Sequence, residues 1–130
     1  MTRAGEVVLD ASALIAMLWE EPGGDRAESL ADRAVVSTVN WTEVLQRFQR
    51  GGLSLDGKQD AIEALGIRLE PYTTEDADAV ARMWDAARPA RLSLADRACL
   101  ALARRLGVPA HTADRVWADL DVGVEVVLIR

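Results

Sequence analysis

The sequence predicts an α/β fold with three layers (α/β/α), in which helices cover both faces of a parallel sheet of about five strands. Short apolar runs of strand character alternate along the chain with longer segments whose apolar residues recur at helical spacing. Such alternation is typical of parallel sheets, because a crossover helix must connect one strand to the next. The 130 residues contain no internal repeat and no linker, so we expect a single domain over residues 1–130.

The first half of the chain predicts two strands and three helices. A Pro-Gly-Gly sequence that begins at Pro22 separates the first two helices, and Ser37 or Thr38 is suited to cap the third. Gly51 follows the third helix, as expected of a C-terminal glycine. The strands are expected at residues 6–9 and 34–36, and the helices at residues 11–19, at 25–33 and from the cap to about residue 50.

The second half repeats this rhythm with three strands and four helices. Thr74 is suited to cap one helix and Ser93 another, which Gly107 ends. The buried stripe of the helix after Thr74 is expected to consist of Ala77, Val80, Ala81 and Trp84. The strands are expected at residues 67–69, 108–112 and 124–129, and the helices at 55–65, from 74 onward, at 93–106 and at 114–120.

The composition is that of an ordinary folded protein, with 50% hydrophobic and 28% charged residues. The net charge of −6 counts against a broad nucleic-acid-binding surface, although carboxylates that bind a cation would contribute negative charge that the cation cancels. No run is apolar enough to cross a bilayer, and the N-terminal residues lack the apolar stretch of a signal peptide. The single cysteine, Cys99, excludes an internal disulfide and agrees with a reducing compartment, so we expect a cytoplasmic protein.

Two acidic residues closely follow predicted strands. In parallel α/β sheets, ligands bind outside the carboxyl ends of the strands, at the point where strand order reverses. Asp10 and Asp114 occupy such positions. Each of them also precedes a short helix, so each could instead be only a helix N-cap.

Asp96 stands in the first turn of a long helix, three residues after Ser93, and could complete a capping box there. It also lies on the same side of the helix as Cys99, Leu100 and Ala103. An acid that leads an apolar stripe points toward the core or its rim, where an unpaired charge is costly. Asp96 therefore needs a cation, a hydrogen-bond donor or a raised pKa.

The predicted fold brings the strand-end acids toward Asp96, and such a cluster requires a positive charge. Carboxylates about 6 Å apart repel each other by roughly 3 kcal/mol per pair at an effective dielectric constant of about 20. Lys58 is the only lysine and lies outside these segments. A hard divalent cation with oxygen ligands is the natural occupant.

Periodicity leaves Glu43 on the side of its helix opposite the apolar stripe. That stripe consists of Trp41, Val44, Leu45 and Phe48. Glu43 can still face a cleft if the helix is buried on both flanks, as Val39 suggests.

Four segments of the chain contain these acids and recur together in a known family. They read VLDASAL at residues 8–14, VNWTEV at 39–44, LSLADRACLALA at 92–103 and TADRVW at 112–117. In this order and spacing the chain resembles the PIN-domain family, and within it the VapC-type toxins of bacterial toxin–antitoxin pairs. Trp41 stands where the family frequently has an aliphatic residue. Each segment alone is common, whereas the four in this order and spacing are specific, and they extend the likeness over nearly the whole chain.

The resemblance implies a PIN-like domain that acts as a metal-dependent endoribonuclease. The acids that correspond to the family's catalytic, metal-holding quartet are Asp10, Glu43, Asp96 and Asp114. Mg²⁺ or Mn²⁺ would activate water to hydrolyse RNA phosphodiester bonds. Ser12 and Thr112 match hydroxyl positions that support the quartet. The resemblance also implies a toxin role, an RNA substrate, a cognate antitoxin as partner and a homodimer, with no membrane association.

Several residues near these segments have two interpretations. Arg97 and Arg115 each follow a quartet acid and could bind the substrate phosphate or form surface ion pairs. Asp119 and Asp121 could supply an additional ligand. We interpret His111, the only histidine, as a packing residue rather than an acid–base catalyst.

Three alternatives are weighed against this interpretation. Receiver domains and haloacid-type phosphatases also place an Asp after the first strand. A receiver needs a late lysine that this chain lacks, and the phosphatase pattern has Asp where Ser12 stands. A non-catalytic binding or scaffold module would use the four acids only as caps and surface charges. The third alternative is a DNA-directed nuclease of the same fold.

Overall fold

The computed structural model describes residues 4–130, in which five short strands form one parallel sheet. The strands are β1 (Val7–Leu9), β2 (Ala34–Ser37), β3 (Arg68–Glu70), β4 (Ala110–Thr112) and β5 (Val126–Leu128). Their order across the sheet is β3-β2-β1-β4-β5, and every neighbouring pair is parallel. The predicted fold class and number of strands are confirmed.

The central strand is β1, in which Val8 pairs with Val35 of β2 on one side and with Ala110 of β4 on the other. The chain builds the sheet outward from β1 in one direction and then in the other, so strand order reverses between β1 and β4. The carboxyl ends of these two strands therefore flank the switch point of the sheet. Asp10 and Asp114 follow these strands, so the fold brings both acids to this edge.

Seven α-helices and three short 3₁₀-helices surround the sheet within residues 4–130. The α-helices are α1 (Ala11–Leu18), α2 (Gly24–Glu28), α3 (Thr38–Arg50), α4 (Lys58–Ala64), α5 (Thr74–Arg82), α6 (Trp84–Ala87) and α7 (Leu94–Leu106); the 3₁₀-helices are Ala31–Arg33, Arg88–Ala90 and Arg115–Asp119. The segments predicted as helices at 25–33 and 114–120 thus include 3₁₀ turns. The helix predicted from residue 55 begins only at Lys58, because Gly57 adopts a left-handed conformation (φ +77°).

Both faces of the sheet are buried, as successive side chains of β1 show. Val7 and Leu9 belong to one apolar cluster together with residues of α1 and α3, whereas Val8 belongs to a second cluster that includes the apolar face of α7. Successive side chains of a strand point to opposite faces of the sheet. The helices on the two faces complete the three predicted layers.

Two helix boundaries that position the site agree with the sequence analysis. Ser37 accepts a hydrogen bond from the backbone N of Val39 and caps α3. Ser93 caps α7, which ends at Gly107 in the left-handed conformation (φ +69°). These caps fix the amino-terminal turns of the two helices that approach the carboxyl edge of the sheet.

The cap of α5 differs from the predicted one. Thr73, and not Thr74, caps this helix, because its hydroxyl accepts a hydrogen bond from the backbone N of Asp76. The Asp76 carboxylate in turn accepts one from Thr73 N, which completes a capping box.

The predicted stripe of α5 is also wrong for most of its members. Only Val80 of the predicted residues is buried, and Trp84 is 51% exposed. The reason is Asp76, which is buried because Arg105 of α7 donates hydrogen bonds to both of its carboxylate oxygens. This ion pair turns the face that contains Asp76 inward, so Met83 contacts the core in place of Trp84.

No helix within residues 4–130 is long and apolar enough to span a membrane. Residues 1–3, which belong to the predicted domain and to the argument about a signal peptide, lie outside the described residues.

Candidate metal and active site

Asp10 lies at the carboxyl end of β1 and is only 4% exposed. Its Oδ1 accepts hydrogen bonds from Ser12 Oγ at 2.7 Å and from the backbone N of Ala13 at 2.9 Å. Its Oδ2 accepts a hydrogen bond from Thr112 Oγ1 at 2.7 Å. The bond from Ala13 makes Asp10 the N-cap of α1. Both carboxylate oxygens are thus engaged, and the group is held in one orientation.

The hydroxyls of Ser12 and Thr112 connect the ends of β1 and β4. Thr112 Oγ1 donates to Asp10 and accepts a hydrogen bond from the backbone N of Asp114 at 3.0 Å. Ser12 Oγ donates to Asp10 and accepts one from the backbone N of Ala113 at 2.9 Å. Each hydroxyl has one hydrogen and donates it to Asp10 while Asp10 is ionised. The two hydroxyl oxygens, which are 3.3 Å apart, therefore form no hydrogen bond with each other in that state.

Burial raises the pKa of Asp10 to about 6. The hydrogen bonds from Ser12, Thr112 and Ala13 oppose this rise because they stabilise the carboxylate, and the charge of Asp96 adds to it. Asp10 is therefore protonated in mildly acidic solution and ionised above neutral pH.

Asp96 forms the capping box that its spacing from Ser93 predicted. Ser93 N donates to Asp96 Oδ2 at 3.0 Å, and Asp96 N donates to Ser93 Oγ at 3.0 Å. Burial raises the pKa of Asp96, and the charge of Asp114 strengthens this rise. The hydrogen bonds with Ser93 and the charge of Arg97, which forms no salt bridge with Asp96 in the described part of the chain, oppose it. No hydrogen bond among the described residues involves Asp96 Oδ1, so the capping box occupies only one oxygen of this carboxylate.

Asp114 is exposed and caps the 3₁₀-helix that follows it. Its Oδ1 accepts a hydrogen bond from the backbone N of Val116 at 3.0 Å. The N-cap role considered for this residue is therefore present. Its charge nevertheless acts on Asp96, whose pKa it raises.

Glu43 approaches the other acids from α3, although the apolar stripe of that helix faces elsewhere. Val39 packs against one apolar cluster and Trp41 belongs to the other, so α3 is buried on both flanks. Asn40 Nδ2 donates a hydrogen bond to Glu43 Oε1 at 3.2 Å. Burial raises the pKa of Glu43, the bond from Asn40 opposes the rise, and the charge of Asp96 adds to it.

The four acids form one electrostatic group with Asp96 at its centre. The charge of Asp96 raises the pKa of Asp10 and of Glu43, and the charge of Asp114 raises the pKa of Asp96. No salt bridge within residues 4–130 joins any of the four to a lysine or arginine. Clustered carboxylates without a paired cation are the ligands that a hard divalent cation prefers.

The positions of the side chains do not by themselves define a coordination sphere. Within the described part of the chain, no three Asp, Glu, His or Cys side chains converge closely enough to hold one ion. The fit of this site to Mg²⁺ or Mn²⁺ therefore rests on the chemistry of the donors, which are all carboxylates. It rests also on their unpaired charge.

The two arginines that follow quartet acids have different surroundings. Arg97 Nη1 donates to the backbone O of Val80 at 3.0 Å, and its guanidinium lies 5.4 Å from the ring centroid of Trp84. Arg97 thus ties α7 to α5 and α6. Arg115 is exposed at the start of the last 3₁₀-helix, so its side chain is the more accessible of the two.

Four further polar residues that the sequence offers have different surroundings. Cys99 is fully buried, and burial together with the charges of three quartet acids raises the pKa of its thiol. Burial lowers the pKa of His111, which is half-buried in β4. Asp119 and Asp121 are exposed and line a surface groove together with Val116 and Leu120.

Asn40 is the site residue that the sequence analysis did not single out. Its Nδ2 donates to Glu43 and also to the backbone O of Ala95 at 3.0 Å. The signal in the sequence is a poor helix former placed three residues before Glu43, a spacing that brings two side chains together on a helix.

Comparison with protein families matches residues 7–123 to the model described as PIN domain. Among curated proteins, none matches the sequence.

Several solved structures share the fold along almost the whole chain. A chain of a toxin–antitoxin complex from Klebsiella pneumoniae is 18% identical with a TM-score of 0.73, covering 96% of this chain and 98% of that one. A chain of DNA-bound VapBC from Salmonella typhimurium is 15% identical with a TM-score of 0.70 and full coverage of both chains (100% and 100%). A chain of VapBC-5 from Mycobacterium tuberculosis, a member of the VapBC family of toxin–antitoxin systems, is 23% identical with a TM-score of 0.57, covering 97% and 98%.

Proposed function

This chain belongs to the PIN-domain family, and we propose that it is a divalent-metal-dependent endoribonuclease that serves as the toxin of a toxin–antitoxin pair. Toxins of this family are generally nucleases. The observation that supports the proposal most directly is the group of four carboxylates around Asp96, to which no lysine or arginine of residues 4–130 forms a salt bridge.

The quartet acids hold the cation in this proposal, and each contributes differently. Mg²⁺ or Mn²⁺ held by these carboxylates would lower the pKa of water that attacks the phosphodiester and would offset the charge that develops on the phosphate. Asp10 provides a carboxylate that Ser12 and Thr112 hold in a fixed orientation. Asp96 provides the oxygen that its capping box leaves free of hydrogen bonds from the described residues. Glu43 of α3 and Asp114, which follows β4, provide the remaining carboxylates.

RNA binding in this proposal relies on few positive side chains, since the net charge is −6. Arg115 is exposed next to Asp114 and is assigned to a backbone phosphate. Arg97 is assigned a weaker part, because its guanidinium already contacts Val80 and Trp84.

The proposal extends to the partners of the protein. The three solved structures described above come from toxin–antitoxin systems, and two of them are described as VapBC. This similarity supports the assignment of a cognate antitoxin that blocks the acidic site. The homodimeric state is assigned from the family resemblance, and the place in the cytoplasm from the single cysteine.

A non-catalytic module of the same fold is the second candidate, and one observation favours it. Asp10, Asp96 and Asp114 all act as helix caps or capping-box partners. If capping were their whole role, the acids would contribute to stability and bind no cation.

Cleavage of end-labelled single-stranded RNA separates these candidates. The reaction is run with Mg²⁺, with Mn²⁺ and with EDTA, beside single-stranded DNA of the same sequence. The variant Asp96→Asn keeps an oxygen that can accept the capping bond and loses the charge. Asp60→Asn is the matched control, because Asp60 is an exposed acid at the same position in the first turn of α4, and the substitution removes the same charge.

We expect metal-dependent cleavage of RNA by the wild type and by Asp60→Asn, and none by folded Asp96→Asn. Cleavage that survives in Asp96→Asn or in EDTA would contradict the proposed site. Preferential cleavage of DNA would assign the protein to the DNA-directed alternative, and absence of metal binding by the wild type would favour the non-catalytic module.

A further inference from the structure

Asn40 lies in the first turn of α3 and is only 1% exposed. Its single amide group donates two hydrogen bonds, to Glu43 Oε1 at 3.2 Å and to the backbone O of Ala95 at 3.0 Å. The amide has two hydrogens, so both are used. The opposite orientation of the amide would set its oxygen against two acceptors, and the neighbours therefore determine which way Asn40 points.

These two bonds join the parts of the chain that contribute two of the quartet acids. Ala95 directly precedes Asp96 in the first turn of α7. Glu43 lies one turn after Asn40 on α3. One buried side chain thus holds the Glu43 carboxylate and fixes its helix to the turn that contains Asp96.

Stability alone does not account for an amide at this position. Asn40 Oδ1 is buried and has no hydrogen-bond partner among the described residues, and a buried acceptor without a donor costs free energy. Leucine has nearly the same shape and would fill the space without that cost. Polar groups retained in a core at such a cost are typical of positions that serve a site.

We propose that Asn40 is a positioning residue for the metal site, which orients the Glu43 carboxylate and sets its separation from Asp96. The inference rests on the proposed metal-dependent function. Asn40 contacts neither cation nor RNA in this account, and its effect passes through Glu43 and through the junction of α3 with α7. Outer residues that orient metal ligands change metal affinity or activity by about 10- to 100-fold when they are replaced.

Direct Mn²⁺ titration by calorimetry tests the proposal on Asn40→Leu and Asn40→Ala, which both remove the donors to Glu43 and Ala95. Thr42→Ala is the matched control, because Thr42 Oγ1 bonds only to Thr38 O within the same helix. We expect the Kd for Mn²⁺ to rise by about 10-fold or more in both Asn40 variants and to stay unchanged in Thr42→Ala. The KM for RNA at saturating metal should change little, since Asn40 does not touch the substrate.

A second measurement uses only the wild-type protein, so it does not depend on whether the Asn40 variants fold. The side-chain amide resonances of Asn40 are followed by NMR during titration with Mg²⁺ alone, with the exposed Gln46 amide of the same helix as the internal control. We expect the Asn40 amide to shift together with the backbone amide of Ala13, which donates to Asp10. A purely structural role would leave the Asn40 amide unchanged.

The outcomes separate this inference from the proposed function. Wild-type protein that binds Mn²⁺ and cleaves RNA, with folded Asn40 variants of equal metal affinity, would overturn the role of Asn40 and leave the nuclease intact. An Asn40 amide that stays unshifted while the Ala13 amide moves would do the same. Wild-type protein that binds no Mn²⁺ would overturn the proposed function and, with it, this inference.

Discussion

Thr112 Oγ1 lies 2.7 Å from Asp10 Oδ2, and this buried hydrogen bond joins the carboxyl ends of β1 and β4. The same hydroxyl accepts a bond from the backbone N of Asp114. The Thr112 side chain therefore connects Asp10, which follows the central strand β1, with Asp114, which follows β4. Because strand order reverses between these strands, the connection lies where parallel α/β sheets bind their ligands.

Thr112→Val tests this connection, because it keeps the shape of the side chain and removes the hydroxyl. The buried Asp10 carboxylate loses a donor and Asp114 N loses an acceptor, so we expect the free energy of unfolding to fall by about 1–3 kcal/mol. Metal-dependent RNA cleavage should fall as well. Urea denaturation at pH 7.5 measures the first effect, and Thr42→Val on exposed α3 surface is the control. Equal stability of the two variants would show that the Thr112 hydroxyl is dispensable.

Much of this arrangement could be predicted from the sequence, because the signals are local. The segments at residues 6–9 and 108–112 predict strands, and the switch-point rule then directs attention to the acids that follow them. The spacing of Ser93 and Asp96 likewise predicts a capping box that the structure contains. Each of these inferences needs only a few consecutive residues.

Other features depend on contacts between distant residues and could not be predicted. Arg105 is 29 positions from Asp76 along the chain, and only their ion pair makes Asp76 a buried residue of α5. Trp84 is consequently exposed, although its apolar character suggested the core. Asn40 was missed for the same reason, since its second partner, Ala95, is 55 positions away.

The raised pKa of Asp10 predicts how the stability of the metal-free protein depends on pH. The folded state holds the Asp10 proton up to a pKa of about 6, whereas the unfolded chain releases it near the ordinary value of 3.8. Between these values the folded state binds more protons, so the free energy of unfolding falls as pH rises from about 4 to about 6. A shift of about 2 pKa units corresponds to roughly 3 kcal/mol. The raised pKa values of Glu43 and Asp96 act in the same direction.

Denaturation in EDTA at several pH values between 4 and 7.5, about the window set by these shifts, measures this effect on the wild type and on Asp10→Asn. We expect the variant to be less sensitive to pH and more stable than the wild type at pH 7.5. Its amide can donate to Thr112 Oγ1, while the Thr112 hydroxyl turns to Ser12 Oγ, 3.3 Å away. The lowered pKa of His111 acts in the opposite direction in part of this window, so the comparison with the variant isolates Asp10. A wild type whose stability has the same pH dependence as that of Asp10→Asn would contradict the raised pKa of Asp10.

Asp114→Asn separates the capping role of Asp114 from its proposed role as a ligand. Asparagine caps helices as well as aspartate does, so the bond from Val116 N can be kept and the free energy of unfolding should change by less than about 0.5 kcal/mol. The affinity for Mn²⁺ should fall, because one carboxylate of the quartet loses its charge. Thermal melts in EDTA and in Mn²⁺ measure both effects. Loss of stability in EDTA with unchanged stabilisation by Mn²⁺ would assign Asp114 to capping alone.

The central claim is that the acids around Asp96 bind a divalent cation, and calorimetric titration with Mn²⁺ tests it most directly. Wild type, Asp96→Asn and Asp60→Asn are compared, since both substitutions remove one charge from the same position in the first turn of a helix. The account predicts that the wild type and Asp60→Asn bind Mn²⁺ with similar affinity and that folded Asp96→Asn binds at least about 10-fold more weakly. Equal binding by Asp96→Asn and the wild type would contradict it and reduce Asp96 to a helix cap.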